Sequence, residues 1–78
     1  MILEIITPEK NVFNGEVTSV KFPGESGEFE VLKNHASIIS NLTRGNIRVI
    51  TITNNIENFK INGGVIEMEK NKIIVLAD

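Results

Sequence analysis

Short runs of β-branched and other apolar residues, each closed by a turn residue, fill this chain from end to end. The runs cover residues 2–7, 16–22, 28–32, 36–42, 46–53, 57–62, 65–69 and 72–76. Turn chemistry lies between them: Pro8, Asn14-Gly15, Pro23-Gly24, Arg44-Gly45, Asn54-Asn55, Gly63-Gly64 and Lys70-Asn71. Such spacing predicts an all-β fold, a small two-sheet β-sandwich or flattened barrel of about eight to ten short strands with no substantial helix. Phe29 and Val31 alternate with Glu28 and Glu30, and Ile66 and Met68 with Glu67 and Glu69, so the apolar members should face a core. Phe59 and Ile61 share a face in the same way. The run 72–76 is almost wholly apolar, which predicts cover on both of its faces. In 36–42, Ile38 and Leu42 are four apart, as in a helix, but the Ile38-Ile39 pair and the following Arg44-Gly45 favour a strand.

Seventy-eight residues allow one domain, residues 1–78, with modest stability of its own. There is no cysteine, so neither disulfides nor thiolate metal sites can brace it. Packing, or a partner, must do so. A net charge of −2 argues against nucleic acid as the main partner, because backbone binding needs clustered Lys and Arg. No apolar stretch approaches the ~20 residues that span a bilayer. Met1-Ile2-Leu3-Glu4 lacks the basic start of a signal peptide, so the chain reads as cytosolic. Without secretion, the sequon Asn41-Leu42-Thr43 is a chance match. Trp and Tyr are absent, which counts against sugar or base stacking.

No catalytic set is visible. His35 is the only histidine, which rules out a multi-histidine metal site. Ser19, Ser26, Ser37 and Ser40 are possible nucleophiles, yet none stands in a G-x-S-x-G elbow. His35 is better read as a loop residue bonded to nearby backbone. Glu25, Glu28 and Glu30 form an acidic cluster between glycines. Glu28 and Glu30 would lie on one strand face about 7 Å apart, a spacing within reach of a two-carboxylate hydrolase. The plainer readings are a solvated strand face, or an acidic patch for a basic partner loop. Gly24-Glu25-Ser26-Gly27 is too short for a phosphate loop and reads as a hairpin turn. Gly63-Gly64 reads as a tight turn or bulge, with close approach of another backbone as the alternative.

The order of motifs is more specific. Thr7-Pro8-Glu9, then Val12-Phe13-Asn14-Gly15-Glu16-Val17, resembles the "TPE…V(F/Y)SGEV" opening of the F-type ATP synthase epsilon subunit. The stretch from Gly27-Glu28-Phe29 to Asn34-His35-Ala36 is similar to that family's "GELGILPGHAP". Leu42-Thr43-Arg44-Gly45-Asn46-Ile47-Arg48-Val49 is similar to "LKPGVLRV". Phe59 with Asn62-Gly63-Gly64-Val65-Ile66-Glu67-Met68 resembles "F-x-(V/L)-SGGFLEV", and residues 71–78 resemble "NKVTVLAD". Five such pieces in order span nearly the whole chain. Glu30 stands at the usual glycine, Lys33 and Ser37 at two usual prolines, and Arg44 where lysine is common.

The resemblance implies a non-catalytic rotor subunit without cofactor or metal, a monomer when isolated and one copy per complex. It implies contact with the gamma subunit and the membrane c-ring, on the cytoplasmic face of a bacterial inner membrane. Carried over by motif, Glu25, Glu28 and His35 would face the c-ring and lower stalk; Thr7, Ser40 and Leu42 would face gamma, across an exposed apolar patch. Longer family members continue with two helices that restrain ATP hydrolysis and in some bind ATP. If 78 residues is the native length, that brake is missing. Two other classes remain open: a free-standing β-sandwich protein- or ligand-binding module with a groove, and a small hydrolase built on Glu28 and Glu30.

Overall fold

A computed structural model describes all residues from Met1 to Asp78. It has no helix and eight strands: β1 (Ile2–Ile6), β2 (Asn11–Gly24), β3 (Gly27–Leu32), β4 (Ile38–Leu42), β5 (Gly45–Thr51), β6 (Ile56–Ile61), β7 (Gly64–Glu69) and β8 (Lys72–Ala77). Strand order is β1-β8-β7-β4-β2-β5-β6, with β3 also on β2 and β1 paired to β2 as well. Five strands thus close into a flattened barrel, whose narrowest join is the single pair Gly24↔Leu42.

The 14-residue β2 belongs to two layers. Its first half pairs with β1 and extends a layer of β1, β8, β7 and β4. Its second half lies between β3 and β5, in a layer completed by β6. Between them, the register with β5 slips from Val17 to Ser19 and leaves Thr18 as the extra residue of a bulge. A bulge bends and twists its strand, which lets one chain serve both layers. Thr18 Oγ1 donates to the Ile50 carbonyl at 3.3 Å across this corner.

Alternation decides which residues fill the space between the layers. Leu3, Ile5, Ile66, Met68, Ile73 and Val75 point in from the first layer. Val20, Phe22, Val31, Ile47, Val49 and Ile61 meet them from the second. Each such side chain contributes about 1.5–3 kcal/mol by leaving water. Phe22 is the largest fully buried side chain, its ring centroid 5.4 Å from that of Phe29. At the seam between β2 and β6, Phe13 and Phe59 pack edge to face at 5.4 Å.

Three sequence readings are corrected. Asn14-Gly15 is not a turn. It lies within β2, with Asn14 opposite Glu4 and Gly15 opposite Leu3. The reversal is made earlier, where the Thr7 N–H donates to the Lys10 carbonyl at 2.9 Å around Pro8-Glu9. Pro23-Gly24 likewise does not stop β2 but forms its last rung, and the turn falls on Glu25-Ser26. Third, β8 is covered on one face only. Ile73, Val75 and Ala77 are buried, while Ile74 is half-buried and Leu76 is 55% exposed. A continuous apolar run shows that both faces tolerate burial; within this chain only one finds cover.

Gly63-Gly64 serves the close approach that was its alternative reading. A Cβ on Gly64 would sit 2.4 Å from the Leu76 carbonyl oxygen and 2.9 Å from the Ala77 Cα. Lys70 and Asn71 both have positive φ, 51° and 61°, as a two-residue hairpin between β7 and β8 demands.

Candidate functional site

The outward side of the first layer is the one large surface whose composition the fold does not explain. Strand register places its residues in cross-strand rows. One row reads Asn11, Ile6, Leu76, Val65 and Asn41. The next reads Asn14, Glu4, Ile74, Glu67 and Ile39, and a third Glu16, Ile2, Lys72 and Glu69. Ile39 is 75% exposed, and Ile2, Val65 and Leu76 are exposed as well. Apolar side chains gathered on one sheet face mark a contact surface.

Charge on this face is one-sided. It holds Glu4, Glu16, Glu67 and Glu69 against the single cation Lys72. The molecule's two ion pairs, Lys21–Glu28 at 3.2 Å and Arg48–Glu30 at 2.8 Å, both lie on the other layer. Two shallow hollows open on this face, one bordered by Ile39 and Glu67 near the start of β4, the other by Thr7 and Leu76 near the end of β1.

The residues singled out in the sequence are distributed unevenly. Glu25 is exposed at the β2–β3 turn, and Glu28 follows at the same end of β3. His35 lies past the opposite end of β3. At about 3.3 Å per residue the strand separates it from Glu28 by well over 10 Å, so the three do not form one cluster. His35 is exposed; its N–H donates to the Leu32 carbonyl at 3.1 Å and its Nδ1 lies 2.8 Å from the Ala36 carbonyl, the local backbone bonding foreseen for it. Thr7 Oγ1 is occupied in its own turn, donating to the Lys10 carbonyl at 3.2 Å. Ser40 is half-buried on the inward side of β4, opposite Ile66. Leu42 is 4% exposed, belongs to the core and is paired to Gly64 on one side and Gly24 on the other, so its side chain is not offered to a partner.

The Glu28/Glu30 pair has no cleft, since neither residue borders a hollow. Glu30 instead ties three strands together. It accepts from Ser19 Oγ at 2.6 Å and from Arg48 at 2.8 Å. Ser19 is 5% exposed, and Arg48 Nε is buried with no partner, so these groups depend on Glu30. Glu30→Ala should lower stability by about 1–2 kcal/mol, discounted toward the lower figure because the ion pair is partly solvated. Glu30→Gln, which keeps an acceptor, should lose about half as much. Urea unfolding of the two variants measures this, and equal midpoints for Glu30→Ala and the parent would show that the bridge contributes nothing.

The model of the ATP synthase delta/epsilon chain β-sandwich domain matches residues 1–78. The chain belongs to this family. Among the family's curated members, the ATP synthase epsilon chain of Sulfurimonas denitrificans is 45% identical over 76 residues, which cover 97% of this chain and 58% of that one. The epsilon chain of Chlorobium limicola is 41% identical over 76 residues, covering 97% and 86%. The chain thus spans about three-fifths of the first of these relatives and more of the second. In fold it is similar to a chain of the Euglena gracilis mitochondrial ATP synthase OSCP/F1/c-ring structure, with a TM-score of 0.92 at 19% identity, covering 99% of this chain and 49% of that chain. A chain of the Tetrahymena thermophila ATP synthase central stalk and c-ring structure aligns with a TM-score of 0.79 at 15% identity, covering 99% and 62%. These two chains share the layered architecture described above. No helix of this chain is long and apolar enough to cross a membrane.

The apolar rows were legible only in part. The sequence marked the run 72–76 as unusually apolar, but Ile6, Val65 and Ile39 join it only through strand register.

Proposed function

We propose that this chain is a non-catalytic rotor component of an F-type ATP synthase, bridging the gamma subunit and the c-ring at the cytoplasmic face of a bacterial inner membrane. The observation that carries the reading is the uncovered apolar row Ile6–Leu76–Val65 with Ile39 beside it, in a chain of the epsilon family. A stiff sandwich with one apolar face suits a part that must hold its neighbours while torque passes through them. The motif groups His35 with Glu25 and Glu28 on the ring and lower-stalk side, but β3 separates it from them; in this reading its loop lies beside gamma, which covers the outward side of the first layer from that loop and the adjoining strand of Ser40 to the turn of Thr7. Its contact strip is basic, to match Glu4, Glu67 and Glu69. The β2–β3 turn with Glu25 and neighbouring Glu28 meets cationic loops of the ring. Such charges at a rim set register and encounter rate more than affinity.

The test is titration of the chain with its cognate gamma subunit. Leu76→Asp places a charge at an exposed site in the centre of the row. It should weaken binding by about 100-fold while leaving the urea midpoint nearly unchanged. Ile52→Asp, equally exposed but in the β5–β6 turn, serves as the control and should bind like the parent. Equal binding by both variants would remove gamma from this face. Separately, Glu28→Lys should impair proton coupling in the reconstituted complex without unfolding the chain; normal coupling would take Glu28 out of the ring contact.

A further inference from the structure

The loop 33–37 carries His35 and leads into the exposed start of β4. All five of its residues are exposed, and none is in a strand. Its short-range bonds, from the His35 N–H to the Leu32 carbonyl and between His35 Nδ1 and the Ala36 carbonyl, cannot fix its pose against the body. One contact from a distant segment does. The Asn34 N–H donates to Asn71 Oδ1 at 2.7 Å, and Asn71 Nδ2 donates back to Asn34 Oδ1 at 3.1 Å. The backbone of Asn71 is itself anchored, because its carbonyl accepts the Ile2 N–H at 2.9 Å. Asn71 therefore joins three segments: the β7–β8 hairpin, the start of β1 and the loop 33–37.

Both asparagines have positive φ, 66° at Asn34 and 61° at Asn71. Asparagine is among the few non-glycine residues that adopt this conformation readily, so the same two residues form the turns and supply the clamp. The loop needs such a clamp. None of its five residues, Lys33-Asn34-His35-Ala36-Ser37, is a proline whose ring would stiffen it.

We infer that the Asn34–Asn71 pair positions the loop 33–37 for its partner, with Asn71 acting as a positioning residue and not as a contact. The inference rests on the proposed reading that gamma covers this loop. Holding a loop in its bound pose lowers the ordering entropy lost on association. A loosened loop should therefore bind more weakly although every contacting side chain is retained.

Glycine substitutions isolate the clamp, because glycine accepts positive φ without strain and removes only the side-chain amide. Asn71→Gly deletes both bonds, and Asn34→Gly deletes one. In the chain alone, hydrogen exchange at Asn34 and His35 should quicken by about tenfold in Asn71→Gly, and less in Asn34→Gly, as befits one or two lost hydrogen bonds. Affinity for the cognate gamma subunit should fall several-fold in Asn71→Gly. The double variant should fall no further, because both changes break the same pair. His35→Ala serves as the reference for the loop's own contact. Unchanged exchange in Asn71→Gly would overturn the clamp. Faster exchange with unchanged affinity would overturn the positioning role. The His35→Ala result then tells which premise failed: weakened binding leaves the loop in the interface, and parent-like binding removes it.

Discussion

Replacing Gly64 with alanine is expected to lower the stability of this domain by about 3–5 kcal/mol. The added Cβ would lie 2.4 Å from the Leu76 carbonyl oxygen and 2.9 Å from the Ala77 Cα, and both are backbone atoms that no rotamer change can move. Gly64 also has φ of 150°, a conformation closed to side-chain-bearing residues. Gly64 is the first residue of β7, paired with Ala77 on one side and Leu42 on the other. Relief would require opening a ladder on which the barrel's closure depends. Overpacking and backbone strain each contribute about 1–3 kcal/mol, so a loss of about 3–5 kcal/mol follows. Far-ultraviolet circular dichroism against urea would measure it. A loss under about 1 kcal/mol would mean that β7 and β8 can separate at no consequence, contrary to the geometry.

The second large effect belongs to Phe22. Its side chain is wholly buried between the layers, on the half of β2 that pairs with both β3 and β5. Truncation to alanine removes the largest buried side chain and its contact with the Phe29 ring. Phe→Ala changes in cores cost about 3–5 kcal/mol. A chain of 78 residues has on the order of 4–12 kcal/mol in total, with no disulfide in reserve. Phe22→Ala should therefore lose from about a quarter of that stability to all of it, read as a lowered urea midpoint. Phe29→Ala makes the comparison, since Phe29 is only half-buried and should lose roughly half as much. Equal losses in the two variants would place the centre of packing elsewhere.

Both predictions concern stability, yet they bear on function. Under the proposed function, the chain transmits force only if its body yields less than its contacts. The residues that make the body stiff, Gly64 and Phe22, are distinct from those that present the apolar face, Leu76 and Ile39. Variants of the second kind should therefore lose a partner while keeping the fold, which makes the two roles separable by experiment.

Much was decided by the sequence alone. Alternation within 28–32 and 65–69 assigned Phe29, Val31, Ile66 and Met68 to the inside, because side chains on a strand alternate whatever the strand pairs with. Turn residues bounded the strands for the same local reason, except at Asn14-Gly15 and Pro23-Gly24, where ladder pairing outweighed turn propensity. Five ordered motifs identified the family. Tertiary structure decided what strand register alone can bring together. The parallel pairing of β1 with β8 sets Ile6 beside Leu76, residues seventy positions apart. The same register separates Glu28 from His35 along β3, withdraws Leu42 into the core and sets Asn34 against Asn71. A linear pattern records which way each side chain faces. Only the folded sheet, through hydrogen bonds between distant segments, determines which neighbours share that face.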